Sequence, residues 1–326
     1  MIDITVIVTL YNKEKYIEDC IKSLLQQEFE NFNILVIDDG STDESCSLVT
    51  NLMLNESKIL LHKQANTGLG GARNKGLELA SNCRYVCFVD GDDYVKPNYL
   101  KTLYTLCELE NADISICNVE SYPMNKNFRA WFKEYKGKVD PEFLDDSLMV
   151  VNKLFRKSYL DEMEFRFFEK SGDGAIIKLM LNTNNIISSL EPLYIYRYVK
   201  ESMSNTRSIE LYKSVVENSK KMRTIICESK YNDDSNMMLF GDYMVIDTFL
   251  QLLVIDIMNN DKEEYSNTKK ELLKFDLNNK YFKKFYKDKY GIAYYFVVRY
   301  LLINSFYLSR FMILVRDAIR KVILIK

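Results

Sequence analysis

The sequence predicts an α/β protein with a mainly parallel sheet flanked by helices, followed by a helical region. Two observations predict this class. In the first 120 residues, apolar runs rich in β-branched residues alternate with segments of helical periodicity across short connections, which is the pattern of repeated β-α units. Beyond about residue 208, only helical periodicity remains. We therefore predict a first domain at 1–208, divided into 1–120 and 121–208, and a helical region at 209–326.

The elements of the first 120 residues follow from local patterns. Ile4 to Thr9 is apolar throughout, as a strand buried on both faces requires. Ser41 and Glu44 form a capping-box pattern that opens a helix, and Pro97 fits the first turn of another. The predicted strands are 4–9, 33–37, 58–61, 85–89 and 114–117, and the predicted helices are 17–25, 41–52, 73–80 and 97–107.

Composition excludes several classes of protein. Hydrophobic residues at 47% and charged residues at 28% are typical of a folded globular chain. The seven cysteines show no CxxC spacing, and their odd number excludes a complete disulfide framework and favours a reducing cytoplasm. The single histidine, His62, excludes a His-clustered metal site and fits a structural place at a strand end. The first residues are expected to form a strand and not a signal peptide.

Charge is concentrated near the C-terminus. Residues 280–326 contain eleven Lys and Arg against two Asp, although the whole chain has a net charge of −2. On a helix, Arg299, Arg310, Asp317 and Lys321 fall on one face among aromatic and aliphatic residues. This pattern predicts a basic amphipathic helix on an anionic membrane surface. Packing of the same helix against the first domain or a second subunit is the alternative.

A cluster of carboxylates follows the fourth predicted strand. Asp90 and Asp92 are two residues apart, so both side chains can point the same way from the strand end, and Asp93 follows them. Two convergent carboxylates suit Mn²⁺ or Mg²⁺, which can then bridge to phosphates. A polar turn that closes the strand is the alternative, because Asp-Gly-Asp-Asp is also favourable turn sequence.

Four segments in register resemble the nucleotide-sugar half of family 2 glycosyltransferases, which have the GT-A fold. The resemblance is to members of the bacterial capsular, exopolysaccharide or lipopolysaccharide type. It is strong over residues 1–120, moderate to about 205, and absent beyond. The four segments are Thr9-Leu-Tyr11-Asn12, Asp38-Asp39-Gly40-Ser41-Thr42-Asp43, the Gly-rich stretch from Asn66 to Gly76 that contains Arg73, and Asp90-Gly-Asp92-Asp93.

The resemblance implies a role for each segment. Asp90 and Asp92 would hold the divalent cation. From the residues themselves, Asp39 can accept a hydrogen bond from a uracil N–H, Tyr11 can lie along the base, and the planar fork of Arg73 suits a phosphate or base edge. Asp38 is a further candidate, and Asp43 fits better as a cap of the following helix. The candidates for binding the nucleotide sugar are Thr9, Tyr11, Asp38, Asp39, Arg73 and Asp90.

The resemblance also implies a catalytic base that removes the proton of the acceptor hydroxyl. Asp173 matches that position, but Gly172 stands where family members usually have Glu. Glu169 is the alternative base, and a helix N-cap is the structural alternative for Asp173. Lys153 and Arg197 resemble positions that border the acceptor pocket, with ordinary ion pairs as the alternative.

These features predict an inverting, metal-dependent enzyme that moves a sugar from a UDP-sugar to a glycan, lipid-linked, in cell-surface polysaccharide synthesis. It would work in the cytoplasm at the inner face of the cell membrane, without a nucleic-acid partner. A sugar-phosphate nucleotidyltransferase is disfavoured because residues 10–15 lack the glycines it needs. An impaired glycan-binding or scaffold subunit is the other alternative, motivated by Gly172. The glycines from Gly68 do not match a dinucleotide fingerprint.

Overall fold

The computed structural model of the chain describes residues 1–123, 139–168, 173–199, 208–284, 302–310 and 313. The chain divides into two compact units, 1–206 and 207–326. All seven cysteines are free thiols. Five residues of the sequence predictions lie outside the described residues: Glu169, Gly172, Arg299, Asp317 and Lys321. The prediction of one continuous helix through positions 299 and 310 is wrong, because residues 303–305 between them are not helical.

The first unit contains one eight-stranded sheet with the order β3-β2-β1-β4-β7-β6-β8-β5. The pairs β1–β2, β1–β4, β2–β3 and β6–β8 are parallel, and β4–β7, β6–β7 and β5–β8 are antiparallel. The strands are β1 Ile2–Leu10, β2 Phe32–Asp38, β3 Ile59–Lys63, β4 Cys83–Asp90, β5 Tyr94–Val95, β6 Ile114–Tyr122, β7 Lys153–Arg156 and β8 Ile186–Arg197.

The predicted α/β class with a mainly parallel sheet is confirmed, and the structure adds three strands to the prediction. The strand predicted at 114–117 is β6, but β7 separates it from β4. β7 runs antiparallel to both neighbours, so the sheet is mixed at its centre. In β1, the residues from Ile4 to Leu10 are all buried, which agrees with an apolar strand covered on both faces.

Seven α-helices of the first unit are described. The capping box at Ser41 and Glu44 is wrong, because α2 begins only at Ser45. Ser41 Oγ instead accepts a hydrogen bond from the backbone N–H of Asn12 at 3.0 Å. The helices are α1 Ile17–Leu25, α2 Ser45–Met53, α3 Gly68–Leu79, α4 Tyr99–Leu109, α5 Pro141–Ser147, α6 Lys157–Glu162 and α7 Ile177–Asn182.

The second unit is helical in its described part. Its helices are α8 Ile209–Glu228, α9 Ser235–Met258 and α10 Lys262–Leu272. Each begins after a polar cap, since the side chains of Ser208, Asp234 and Asp261 accept hydrogen bonds from backbone N–H groups of the first turn. Helix α9 is long and apolar enough to cross a membrane, but 61% of its apolar window is buried inside the protein, as in a core helix.

Candidate active site

The carboxyl ends of β1, β2 and β4 meet at one edge of the sheet. In the parallel register, Thr9 lies beside Asp90, and Leu10 lies beside Asp38. Thr9 Oγ1 donates a hydrogen bond to Asp90 Oδ1 at 3.0 Å. Ligands of open α/β sheets bind at such an edge, outside the carboxyl ends of the strands. The topology therefore gathers the residues that follow the first, second and fourth predicted strands in one place.

Arg73 of α3 joins two of the predicted site residues that are distant in sequence. Its guanidinium donates one hydrogen bond to Asp90 Oδ1 at 3.0 Å and another to Asp173 Oδ1. The Arg73 side chain has no exposed surface, and the guanidinium lies over the ring of Phe167, 5.5 Å from its centroid. Burial acts to lower the pKa of Arg73, but the two carboxylates outweigh it and raise the pKa. The buried cation therefore stays charged.

Glycine at position 76 lets α3 bring Arg73 to the sheet. A Cβ atom at Gly76 would lie 2.4 Å from Cγ2 of Ile7, a fully buried residue of β1. Arg73 lies one turn before Gly76 on the same helix. The close approach of helix backbone and strand thus sets the depth of the guanidinium beneath Asp90.

Asp92 and Asp93 follow β4 but have different surroundings. Asp92 Oδ2 accepts a hydrogen bond from Lys13 Nζ at 2.5 Å. Asp93 is buried and accepts hydrogen bonds from the Tyr194 hydroxyl at 2.6 Å and the Arg197 backbone N–H at 2.8 Å. Asp93 thereby ties the loop after β4 to the end of β8. This contact makes Asp93 a structural residue.

The Asp90-Gly-Asp92 spacing needs glycine between the two aspartates. A Cβ atom at Gly91 would lie 2.9 Å from the backbone oxygen of Thr9, which also accepts a hydrogen bond from Gly91 N at 3.0 Å. Burial raises the pKa of Asp92, with the negative charge of Asp90 in the same direction, and Lys13 opposes the rise. The turn therefore brings two carboxylates close enough to repel each other.

The chemistry of this pair fits a hard divalent cation. Within the described ranges, donors from other residues reach Oδ1 of Asp90 and Oδ2 of Asp92, and no group of three or more His, Cys, Asp or Glu is placed to hold a metal. A cation would therefore take two carboxylates from the protein and complete its shell with oxygens of water or ligand. Mg²⁺ binds in this way beside substrate phosphates.

Asp39 and Asp38 lie at the same edge with local partners. Asp39 accepts hydrogen bonds from Gln64 Nε2 at 2.8 Å and from the backbone N–H groups of Thr67 and Gly68 at 2.9 Å, so it fixes the start of α3. Asp38 Oδ1 accepts a hydrogen bond from the backbone N–H of Ser41 at 3.0 Å. The predicted contacts of both residues with a nucleotide stay predictions.

Tyr11 and Asp43 occupy the loops beside these aspartates. Tyr11 is 46% exposed, which leaves its ring open to a ligand. Its contact with a base stays a prediction. Asp43 Oδ1 accepts a hydrogen bond from the backbone N–H of Ser45, the first residue of α2, at 3.0 Å. Asp43 therefore binds the first N–H of that helix, as a cap would, although the residue at the N-cap position is Glu44.

Asp173 begins a 3-10 turn, Asp173–Ile176, that continues into α7. Burial and the charge of Asp90 raise its pKa, and the contact with Arg73 acts against them. Because 41% of its side-chain surface remains exposed, the carboxyl is still open to solvent or a ligand. The carboxyl is thus held by a cation on one side and free to meet another group on the other.

Lys153 of β7 is fully buried near this turn. Burial lowers its pKa to about 7, and the charge of Asp173 acts in the opposite direction. Its ammonium donates hydrogen bonds to the backbone oxygen of Met149 and to Asn152 Oδ1, the latter at 2.9 Å. These bonds hold Lys153 inside the protein. Its predicted place beside an acceptor pocket stays a prediction.

Sequence reasoning missed the contacts of two residues. Lys13 pairs with Asp92, and Tyr194 bonds Asp93 while its hydroxyl accepts a hydrogen bond from the Asp90 backbone N–H at 3.2 Å. Tyr194 lies 104 residues from Asp90, and no periodicity in the sequence connects them. Lys13 could have been found from its place just after the first strand, where the predicted site residues cluster.

Comparison with known proteins decides the family. The pattern described as Glycosyl transferase family 2 matches residues 5–180, which is more than half of the chain. The chain belongs to glycosyltransferase family 2. The matched segment of this family 2 chain contains all the residues predicted to bind the nucleotide sugar or the cation and the predicted base Asp173.

Curated relatives extend beyond this chain. Glycosyltransferase GlyA of Streptococcus pneumoniae is 27% identical over 284 residues, which are 81% of this chain and 39% of GlyA. The poly(ribitol-phosphate) beta-N-acetylglucosaminyltransferase TarS of Staphylococcus aureus is 28% identical over 211 residues, which are 62% of this chain and 36% of TarS. This family 2 chain therefore spans less than half of the length of either relative.

Solved structures share the fold. TarS residues 1–349 in complex with UDP-GlcNAc superpose with a TM-score of 0.69 at 21% identity, covering 91% of this chain and 90% of that one. The mannosyltransferase PcManGT of Pyrobaculum calidifontis, in complex with GDP-Man and Mn²⁺, gives 0.53 at 14% identity, covering 95% and 86%. The GT-A fold expected from the sequence is confirmed.

Proposed function

We propose that this protein is an inverting, metal-dependent glycosyltransferase that moves a sugar from a UDP-sugar to a glycan acceptor. One observation carries the proposal. A single buried guanidinium, that of Arg73, bonds both Asp90 at the end of β4 and Asp173. A displacement reaction needs a donor site and a base close together and held rigidly. Arg73 links the two carboxylates predicted for these separate tasks.

The donor would lie along the edge formed by β1, β2 and β4. The exposed ring of Tyr11 is open to a nucleotide base, and we propose Thr9, Asp38 and Asp39 as the residues that shape the pocket around it. The relative TarS, solved in complex with UDP-GlcNAc and with UDP, supports uridine as the nucleotide. Arg73 is fully covered, so we propose that it acts through Asp90 and positions the pocket.

Asp90 and Asp92 would hold Mn²⁺ or Mg²⁺. When bound, the cation would neutralise charge that develops on the departing diphosphate. Thr9 and Arg73 both donate to Oδ1 of Asp90, which fixes the orientation of that carboxylate. The Mn²⁺ in the complex of PcManGT supports this choice of ion.

Asp173 would accept the proton of the acceptor hydroxyl. Its carboxyl contacts the permanent cation Arg73 and keeps 41% of its side-chain surface exposed, so it can receive a hydroxyl from the open side. A positioned general base contributes roughly 10²- to 10⁴-fold in rate. Attack from the side of the base in a single displacement inverts the anomeric centre.

The acceptor we propose is a lipid-linked saccharide of a cell-surface polysaccharide, handled in the cytoplasm at the inner face of the membrane. Relatives named poly(ribitol-phosphate) transferases support a polymeric surface glycan. The basic stretch at 280–326 supports an anionic membrane surface. Deletion after Tyr290 should release the protein from anionic vesicles in a sedimentation assay, and equal binding of the shortened chain would refute this part.

A panel of UDP-sugars tests the function. With Mn²⁺ and no acceptor, the purified chain should slowly release UDP from one donor of the panel, and EDTA should stop the release. Thermal unfolding should shift upward with UDP and Mn²⁺, as a ligand selective for the native state requires. Pyrophosphate release would favour nucleotidyl transfer instead. If no donor of the panel gives UDP release and none gives a thermal shift, the proposal is refuted.

A further inference from the structure

Lys13 forms a short ion pair with one carboxylate of the proposed cation site. Its Nζ lies 2.5 Å from Asp92 Oδ2. The side chains of Lys13 and Asp92 are 22% and 14% exposed, so water screens the pair only in part. The charge of Asp92 is therefore already matched by a cation of the same chain.

The backbone of Lys13 is anchored so that its side chain reaches this site. Its N–H donates a hydrogen bond to Ser45 Oγ at 2.7 Å, and Ser45 is the buried first residue of α2. The preceding Asn12 adopts a left-handed φ of 51° and donates its own N–H to Ser41 Oγ at 3.0 Å. Two loops thus lock together and direct Lys13 toward the end of β4.

The two carboxylates of the site have counter-ions of different kinds. Asp90 is held by Arg73, a planar group with no exposed surface and a second partner in Asp173. Asp92 is held by Lys13, a compact ammonium on a flexible stem that is partly exposed. Lys13 can swing away from its carboxylate, whereas Arg73 cannot leave without disrupting the interior.

We propose that Lys13 is the resident counter-ion of the cation site, which a divalent cation must displace from Asp92, and that the displaced ammonium then binds the donor diphosphate. This inference rests on the proposed metal-dependent function. Without nucleotide, a cation competes with Lys13 for Asp92 and binds weakly. With nucleotide, the ammonium gains an anionic partner, so cation and nucleotide strengthen each other's binding by the same factor.

The test measures Mn²⁺ affinity of the full chain with and without UDP, by electron paramagnetic resonance of free Mn²⁺. Without UDP, Lys13→Met should bind Mn²⁺ about tenfold more tightly than the wild type, a coupling of ordinary size. The strengthening of Mn²⁺ binding by UDP should be several-fold smaller in the variant. Lys157→Met is the matched control, because Lys157 forms a similar pair with Asp161 at 2.6 Å away from the site, and it should change neither quantity.

A second measurement follows Lys13 in the wild-type protein. Acylation of its amine, read by mass spectrometry, should increase several-fold with Mn²⁺ and fall when UDP is added, whereas Lys157 should not respond. Equal Mn²⁺ affinity of the wild type and Lys13→Met, or unchanged acylation, would overturn the displacement while leaving a metal-dependent enzyme. Absence of Mn²⁺ binding to both proteins would remove the proposed metal and this inference together.

Discussion

The sheet edge of the first unit and helix α9 of the second unit both contain carboxylates that are at least partly shielded from water. The partners of Asp90 and Asp92 at the sheet edge differ from those of Asp256 in α9. At the sheet edge, Asp90 and Asp92 each contact a basic side chain, Arg73 and Lys13 respectively. In α9, the fully covered Asp256 receives a hydrogen bond from Thr268 Oγ1 at 2.8 Å, and its Oδ1 has no partner among the described residues. The two acids of the sheet edge have cationic partners, whereas Asp256 has a hydroxyl. Asp242, on the same helix as Asp256, does pair with a cation, Arg223, at 2.5 Å.

The different partners of these carboxylates affect how readily each one ionises. Burial raises the pKa of Asp256 to about 6, with the hydrogen bond from Thr268 acting in the opposite direction. A carboxyl in such surroundings is driven toward its neutral form, which suits packing more than catalysis. At the sheet edge, burial raises the pKa of Asp92 and of Asp173 as well, but Lys13 and Arg73 act against the rise and favour the charged form that a cation or an acceptor hydroxyl requires. Asp90 and Asp92 therefore differ from Asp256 in having a basic partner, but such a partner does not by itself identify a functional residue, because Asp242 of α9 also has one.

The largest expected effect is a loss of transfer rate on substitution of Asp173. Asp173→Asn should lower kcat by about 10²- to 10⁴-fold, the usual contribution of a general base, because the amide cannot take up the proton of the acceptor hydroxyl. Steady-state transfer kinetics with the donor found in the panel measure this loss. UDP affinity, measured by calorimetry, should stay within about twofold, since Asp173 is proposed to act on the acceptor side.

Asp256→Asn is the matched control, because it makes the same chemical change in α9, and its kcat should equal that of the wild type. Retained activity in Asp173→Asn would contradict the assignment of the base and would direct attention to Glu169. A large loss in Asp256→Asn would break the distinction between site and core.

The next largest effect is on the unfolding free energy, and it is tested by substituting one glycine in each of two helices. Gly76→Ala places a Cβ 2.4 Å from Cγ2 of the fully buried, β-branched Ile7, and should cost about 1–3 kcal/mol of unfolding free energy. Gly241→Ala in α9 places it 3.3 Å from Ile226 Cδ1, the end of a flexible side chain. There the better helix propensity of Ala, about 1 kcal/mol, offsets the crowding. Urea unfolding of both variants gives the two free energies.

Because Arg73 lies one turn before Gly76, Gly76→Ala should also reduce the transfer rate, whereas Gly241→Ala should leave the rate unchanged. A Gly76→Ala protein as stable and as active as the wild type would show that the helix-to-strand distance does not set the position of the guanidinium.

The two halves of the sheet also differ in how far the sequence predicts them. β1 to β4 carry continuous apolar runs and are joined by short β-α connections, so their existence and their shared edge follow from local pattern. β7 has four residues and β5 has two. Strands this short have no periodicity to detect, and their pairing depends on residues far away in the chain.

The candidate site also has residues that the sequence predicts and contacts that it does not. Asp90 and Asp92 are visible because they follow a strand directly and two residues apart. The partners of these acids are not visible from spacing, since Thr9 lies 81 residues from Asp90 and Lys13 lies 79 residues from Asp92. Arg73 was predicted to touch the nucleotide, but its burial beneath Asp90 depends on the packing of α3 against β1. How deeply the Arg73 side chain is buried depends on tertiary packing, so no local sequence pattern predicts it.

The smallest expected effect is a pH dependence of the unfolding free energy, caused by Asp256 in the second unit. The ordinary pKa of Asp is about 3.9, and that of Asp256 in the folded protein is about 6. The folded state therefore binds a proton more tightly than the unfolded state between these values. The contribution of this group is fully present below about pH 4 and is lost as pH rises through 6. Asp256→Asn removes the titration.

Urea unfolding at pH 4, 5, 6 and 7 measures the result. The stability of the wild type relative to Asp256→Asn should fall by about 2 kcal/mol from pH 4 to pH 7. Glu217→Gln, at an exposed pair with Lys220 in α8, should differ from the wild type by a few tenths of a kcal/mol at every pH. Parallel curves for the wild type and Asp256→Asn would mean that Asp256 is ionised in the folded core at no cost. The lack of a cationic partner for Asp256 among the described residues would then have no measurable consequence, and the contrast between Asp256 and the acids of the sheet edge would fail.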